Sequence, residues 1–202
     1  MTMIDVSAIR DLHQMTVARW HGQEVDNPYE GFLRLVCLQH QHNFRLWHQE
    51  DIARSPDVSN ADLAAVKRTI DKLNQQRNDA IERLDDFLMM ELSNQGVRPP
   101  ADAPLNTETP GSAIDRLSIL ALRLYHMEEQ ARRSDVGEDH IIKVNARLEI
   151  LYEQHRDLCQ SLAELLDDVF AGRKQLKVYR QFKMYNDPTM NPYLYAAKRS
   201  AA

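Results

Sequence analysis

The chain has 202 residues, 43% of them hydrophobic and 27% charged, which fits one soluble globular domain with a sizeable core. Its formal net charge of −5 gives no general attraction to nucleic-acid backbones or to anionic membranes. Cys37 and Cys159 lack any Cys-x-x-Cys spacing, which argues against a disulfide scaffold and a structural zinc site of thiolates, and a reducing compartment is expected.

The N-terminal residues carry acidic groups early and contain no uninterrupted apolar core. We therefore expect neither a secretory signal nor a membrane-spanning helix, and the predicted location is the cytoplasm.

Prolines and glycines divide the chain into five predicted helices, because a proline inside a helix removes a hydrogen bond and clashes with the preceding turn. Ser59 with Asp62, and Ser112 with Asp115, resemble the capping-box pattern of helix starts. The predicted helices run from about Ile4 to His21, from Pro28 to Arg54, from the Ser59 cap to Leu92, from the Ser112 cap to Ser134, and from Glu138 to Phe170.

Short turns near Pro56 and Gly137 predict two antiparallel helical hairpins, with the first helix covering one groove between them. The predicted fold is all-α, an antiparallel bundle of about five helices forming a single domain over residues 1–202. Residues 1–172 supply the helices, and residues 173–202 form a basic and aromatic C-terminal arm. We expect this arm to dock on its own bundle or on a neighbouring subunit, and nucleic-acid binding is not expected.

The second helix turns polar halfway along its inward face. At about 100° per residue, His40, Asn43 and Glu50 share the stripe of its apolar residues, while Gln41 and His48 lie opposite. An unpaired buried polar group costs about 1 to 3 kcal/mol, so such a face requires partners on other helices or a function.

The inward faces of the other predicted helices also contain polar residues. The antiparallel hairpin around Pro56 is expected to bring His40 opposite residues 73–77. The sequence therefore predicts a polar cluster in the middle of the bundle. It combines the catalytic candidates His40, Asn43 and Glu50 with the ligand-binding candidates Asn74, Arg77, Glu128 and His155.

Two of these candidates allow opposite interpretations. His40 can carry protons, since histidine titrates near neutrality, or it can form a satisfied core hydrogen-bond pair with Asn43. Arg77 can hold an anionic ligand, or it can pair with Glu128 or Asp85.

Glu50 also has two interpretations, as a carboxylate that holds a cation or as a member of an ion pair with Lys67. The histidine spacing does not favour a metal centre, because neither Glu-x-x-His pairs nor a His-Glu-x-x-His motif occurs. His126 and Glu129 have the reversed spacing and point away from the predicted stripe. We therefore predict no built-in metal and no cofactor.

Three segments carry a family resemblance: HQHNFRLWHQEDIAR, KRTIDKLNQQRNDAIERLDD and QFKMYNDPTMNPYLY. Together they resemble the uncharacterised bacterial domain-of-unknown-function family 4254 over nearly the whole chain. The resemblance implies a single helical domain with these segments as its signatures. It implies no reaction and identifies no catalytic residue.

These observations give two hypotheses of different kinds. The first is a helical bundle that binds a small polar or anionic ligand between its second and third helices, either as a binding protein or as an enzyme. The alternative is a homodimeric interaction protein whose buried polar groups fix the register of the helices.

Overall fold

The protein is all-α in its computed structural model, which describes residues 4–180 and 187–194. Those residues contain one isolated parallel β-bridge, between Leu105 and Gln175, and a short helical segment at 192–194. Across the same residues, no helix combines the length and the apolar character that a membrane crossing requires. The main helices are α1 (Val6–Trp20), α2 (Gly31–Arg54), α3 (Asn60–Asn94), α4 (Pro110–Ala131) and α5 (Glu138–Phe170).

The helices pack as two hairpins with α1 between them, which confirms the predicted bundle. The most extensive contacts join α2 to α3 and α4 to α5, while α1 contacts α4, α2 and α5. Burying apolar side chains between these layers stabilises the bundle by about 25 cal/mol for each Å² removed from water. The main core includes Ile9, Leu12, Trp20, Val36, Phe44, Leu84, Leu88, Ile114, Leu117, Leu122, Leu162 and Leu166.

The start of α3 confirms the predicted cap. The Ser59 hydroxyl accepts a hydrogen bond from the backbone N–H of Asp62 at 3.1 Å, and it donates one to the Asp62 carboxylate at 2.7 Å. Such a cap satisfies a backbone donor that has no partner inside the helix.

The predicted start of α4 at a Ser112 cap is wrong. The cap is Thr109, whose hydroxyl accepts a hydrogen bond from the backbone N–H of Ser112 at 3.2 Å, and Pro110 occupies the first helical turn. Proline fits there because that N–H would have no intrahelical acceptor. Asp115 is consequently free for a role outside the cap.

The predicted start of α2 at Pro28 is also wrong, because the helix begins at Gly31. The segment before it stays extended and packs on the bundle, where Val25 and Tyr29 contact the core. The Asp26 carboxylate accepts a hydrogen bond from the indole N–H of Trp20 at 3.1 Å, which ties this segment to α1.

Asp85 of α3 connects the two hairpins at the start of α4. Its carboxylate is 2% exposed and accepts a hydrogen bond from the backbone N–H of Gly111 at 2.7 Å. A Cβ atom on Gly111 would lie 2.8 Å from this carboxylate, so only glycine allows the approach. Burial raises the pKa of Asp85 to about 6.

Residues 173–180 of the predicted arm dock on the bundle. The Gln175 backbone N–H donates to the Pro104 carbonyl at 3.0 Å, and its side-chain amide donates to the Ala103 carbonyl at 2.9 Å. The Arg180 guanidinium donates to Glu82 at 2.9 Å and to Asp86 at 2.5 Å. The parts of the arm at 181–186 and 195–202 lie outside the described residues.

Candidate functional site

Helix α2 is buried around its whole circumference near its middle. All six residues from 39 to 44 are buried, because α1, α3 and α4 contact this helix from different sides. The prediction that Gln41 lies on an outer face is therefore wrong. Its amide is inside and donates to the Asp26 carbonyl at 3.0 Å.

One oxygen of Asp115, on α4, collects polar groups from two other helices. Asp115 Oδ1 accepts hydrogen bonds from Gln39 Nε2 at 2.5 Å and from Asn43 Nδ2 at 2.9 Å, both on α2. The guanidinium Nε of Arg77, on α3, lies 3.9 Å from the same oxygen. Burial raises the pKa of Asp115, and the Arg77 charge partly offsets this effect.

Ser118 extends this network from Asn43 to His40. Its Oγ accepts a hydrogen bond from Asn43 Nδ2 at 2.9 Å and lies 2.7 Å from His40 Nδ1. Because the hydroxyl accepts from Asn43, its own hydrogen can be donated to the imidazole. Burial lowers the pKa of His40 to about 3, so the ring is neutral at physiological pH.

A pocket of about 360 Å³ lies beside this network, between α2, α3 and α4. Its volume falls within the range of about 300 to 1,000 Å³ that is typical of small-molecule sites. His40 does not line it, since that ring lies fully buried against His13 and Trp20. The lining residues are Asn43, Leu46, Trp47, Glu50, Arg54, Asn74, Arg77, Ile119, Leu122 and Arg123.

The pocket thus brings together four of the seven predicted site residues: Asn43, Glu50, Asn74 and Arg77. Glu50 forms an ion pair with Arg54 at 3.3 Å across one helical turn. The pair that the sequence suggested between Glu50 and Lys67 does not form, because Lys67 instead lies 3.7 Å from Asp71.

The acidic neighbour of Arg77 is Asp115. The sequence suggested Glu128 or Asp85, but Asp85 contacts the start of α4, as described above. The Arg77 side chain is 27% exposed, and its Nε has no hydrogen-bond partner among the described residues. The guanidinium therefore makes no hydrogen bond to another described residue, although its side chain lines the pocket.

Glu128 and His155 lie away from this pocket. Glu128 accepts hydrogen bonds from the Tyr152 hydroxyl at 2.7 Å and from Arg132 at 2.9 Å, near the end of α4. His155, on α5, lines a separate opening of about 250 Å³ beside Arg10.

Asp115 and Ser118 were not among the predicted site residues. They flank Leu117 on the buried side of α4, so helical spacing could have placed them in the interior. The capping-box pattern instead assigned Asp115 to the start of the helix.

His126 also differs from its predicted position. It is partly buried, with its side chain 22% exposed, and its ring stacks on Trp47 with centroids 4.7 Å apart. The sequence placed it away from the apolar stripe of α4. His126 faces inward because its ring stacks on Trp47 of α2, which lines the pocket.

The fold and the pocket define an all-α helical bundle with a polar, arginine-lined pocket between three of its helices. The chain belongs to the family described as "Protein of unknown function (DUF4254)", which matches residues 33–178 and so includes every residue that lines the pocket. No curated protein and no solved structure matches the chain.

Proposed function

We propose that the pocket between α2, α3 and α4 binds a small polar anion. The observation that carries the proposal is Arg77, a partly buried guanidinium that lines the pocket and has only a long contact, at 3.9 Å, to a carboxylate. A guanidinium offers five N–H donors in a planar fork that matches carboxylate and phosphate groups.

The charges around the pocket favour an anion. Arg54, Arg77 and Arg123 line it, against the single carboxylate of Glu50. Glu50 is already paired with Arg54. Arg123 makes no ion pair within residues 4–180 and 187–194, so its charge is uncompensated there. Two of the three guanidinium groups can therefore interact with a ligand at little electrostatic cost.

Neutral side chains would orient the ligand. Asn43 and Asn74 line the pocket, and Asn43 is held in place by its hydrogen bonds to Asp115 and Ser118. Leu46 and Trp47 supply an apolar wall. A few positioned polar groups on an apolar lining are typical of small-molecule sites.

A second opening, of about 390 Å³, lies between the ends of α3 and α5 and is less suited to an anion. Its lysine, Lys174, is 3.4 Å from the Asp168 carboxylate, and the amide of Gln175 donates to the linker carbonyls. Lys174 and Gln175 are thus already used within the protein, which leaves Arg98 as the one cation of that opening without an ion pair among the described residues, against Arg77 and Arg123 at the first pocket.

A catalytic role for His40 has less support than the binding role. The ring lies behind Asn43 and Ser118, outside the pocket lining, and burial disfavours its charged form. Within this proposal, Asn43 donates both of its N–H groups to Asp115 and Ser118 and so shapes the pocket wall, and the anion contacts Asn74 and Arg77.

Calorimetric titration of the full-length protein with inorganic phosphate and with pyrophosphate tests the proposal. We expect saturable binding of one anion per chain, weakened at least 10-fold in both Arg77→Gln and Arg123→Gln, since losing a charge-assisted hydrogen bond costs about 1.5 to 3 kcal/mol. Arg123→Gln is informative even if Arg77→Gln unfolds, because Arg123 has no ion-pair partner to lose among the described residues.

Arg116→Gln is the matched control, since Arg116 lies on α4 outside the pocket and pairs with Glu108 at 3.2 Å. It should bind like the wild type. Equal weakening in all three variants, or no binding of either anion by the wild type, would rule out this site.

The buried part of the network favours a second role, the fixing of helix register. Gln39, Asn43, Asp115 and Ser118 form hydrogen bonds with one another without a ligand, and Gln39 Oε1 alone of these side chains has a buried oxygen without a partner among the described residues. This is the arrangement expected of the alternative hypothesis, an interaction protein with polar core groups. The predicted homodimer stays a prediction, and size-exclusion chromatography with light scattering measures it. The cytoplasm stays the proposed compartment, in keeping with two free cysteines.

A further inference from the structure

Three histidines from three different helices meet beside the pocket. His21 caps the end of α1, His48 lies on α2 and His126 on α4. One ring nitrogen from each lies within 4.8 Å of the other two. The centroid of the His21 ring lies 5.2 Å from that of His48 and 5.0 Å from that of His126.

Hydrogen bonds fix which nitrogen of two of these rings carries the proton. His21 Nδ1 lies 2.7 Å from the Val17 carbonyl, and His126 Nδ1 lies 2.9 Å from Glu129 Oε2, so each Nδ1 carries a hydrogen and donates. The lone pair of each neutral ring is then on Nε2. Both Nε2 atoms are buried and have no hydrogen-bond partner among the described residues.

This arrangement is the usual environment of a metal-binding histidine. Such residues donate their second N–H to a carboxylate or a backbone carbonyl, which sets the tautomer and the orientation of the ring. Glu129 and Val17 provide one acceptor of each kind.

Burial favours the neutral form of the His48 ring. Burial lowers the pKa of His48, and the neighbouring His21 and His126 lower it further, while Asp51 and Glu129 act in the opposite direction. Neutral imidazole is the form that binds a metal ion.

Aromatic neighbours hold the rings in place. Tyr125 stacks on His21 with centroids 4.2 Å apart, and Trp47 stacks on His126 at 4.7 Å. Phe44 packs edge-on against His48 at 4.6 Å. Stacking alone explains the positions of the rings, but it leaves two buried Nε2 atoms unsatisfied.

We propose that His21, His48 and His126 form a binding site for a divalent transition-metal ion such as Zn²⁺. Zinc–imidazole bonds of about 2.0 to 2.1 Å place tetrahedral ligand nitrogens about 3.3 Å apart. The three nitrogens now lie within 4.8 Å of one another, so metal binding requires them to approach each other by up to about 1.5 Å.

A site with three histidine ligands leaves the fourth tetrahedral position for water or for a ligand atom, as in catalytic zinc sites. The inference is independent of the anion pocket, although Trp47 contacts both. It revises the expectation of no built-in metal, which rested on spacing along single helices. Here each ligand comes from a different helix, so no short motif exists.

Titration of the untagged, chelator-treated, full-length protein with Zn²⁺ and with Co²⁺ tests the site. We expect one ion per chain, and the visible d–d absorption of four-coordinate Co²⁺. His48→Ala should weaken binding more than about 100-fold, and Glu129→Gln about 10-fold to 100-fold, because outer-shell partners typically contribute that much. His48 makes no hydrogen bond to another described residue, so its removal leaves no hydrogen-bonding group of the fold without its partner.

His140→Gln is the control, because His140 lies at the start of α5, outside the cluster. It should bind both ions like the wild type. The proposal is wrong if the wild type binds no ion, if Co²⁺ shows only the weak absorption of a six-coordinate ion, or if His48→Ala and His140→Gln lose affinity equally.

Discussion

The indole ring of Trp47 stacks on the imidazole of His126, with centroids 4.7 Å apart and ring planes within 7° of parallel. Trp47 also lines the anion pocket, so one side chain contacts both proposed sites. The contact joins α2 to α4 across the interface where Asp115 and Ser118 receive hydrogen bonds from α2.

Truncating Asn43 should destabilise the protein. Asn43→Ala removes the hydrogen bonds to Asp115 and Ser118 and leaves a small cavity, so we expect a loss of about 2 to 4 kcal/mol in the free energy of unfolding. Urea unfolding followed by circular dichroism measures it. Asn145→Ala, at an exposed position of α5, should change stability by less than about 0.5 kcal/mol. Similar losses in both variants would contradict the buried network.

The two fully buried histidines should make the protein sensitive to acid. The pKa of His40 falls from 6.5 to about 3 on folding, and burial lowers the pKa of His13 as well. The unfolded chain therefore binds protons that the folded protein does not. The resulting stability is present above pH 6.5 and is lost as the pH falls towards 3.

The contribution of His40 can be isolated from the slope of stability against pH. In His40→Asn, the free energy of unfolding should depend less steeply on pH between about 4.5 and 6.5, whatever the absolute stability of the variant. An unchanged slope would mean that His40 titrates normally in the folded protein.

Asp85 should make the protein less stable as the pH rises, which is the opposite of the effect of the buried histidines. Its folded pKa of about 6 lies above the ordinary value of 3.8, so its contribution is fully present below pH 3.8 and is lost as the pH rises through 6. Over this pH range the free energy of unfolding should fall by on the order of 3 kcal/mol. Asp85→Asn keeps the acceptor for the Gly111 N–H but cannot titrate. Unfolding curves at pH 4 and pH 7 should therefore differ between the variant and the wild type.

Gly111→Ala should destabilise the start of α4. The new Cβ would lie 2.8 Å from the buried Asp85 carboxylate, and overpacking of this kind typically costs about 1 to 3 kcal/mol. Thermal unfolding measures this loss of stability. In a protein that already carries Asp85→Ala, Gly111→Ala should cost less stability, because the carboxylate that the new Cβ would meet is absent. Gly22→Ala is the control, because its Cβ would meet no atom within 4 Å.

Much of the fold follows from local sequence signals. The Ser59 cap, the turn at Gly137 and the proline-rich linker determine where helices start and end, and short turns force neighbouring helices into hairpins. Thr109 was missed as a cap because Ser112, three residues later, offers the same hydroxyl chemistry.

The site was only partly predictable, because a helical wheel assumes one inward face. Near its middle, α2 contacts three other helices, so Gln41 and His42 are buried as well as Asn43. The residues that α4 presents to α2 depend on the rotation and height of α4, which no local pattern specifies. For that reason Asn43 and Arg77 were identified, whereas their shared partner Asp115 was not.

The contacts of the Asp115 carboxylate restrict where residues can be inserted into this chain. Its Oδ1 atom is the common acceptor for Gln39 and Asn43, and it is the charge nearest to Arg77. Inserting one residue into α4 ahead of Asp115 would rotate that oxygen by about 100° and detach all three groups together. Length changes should therefore be tolerated at the exposed 133–135 turn, but not in the first two turns of α4.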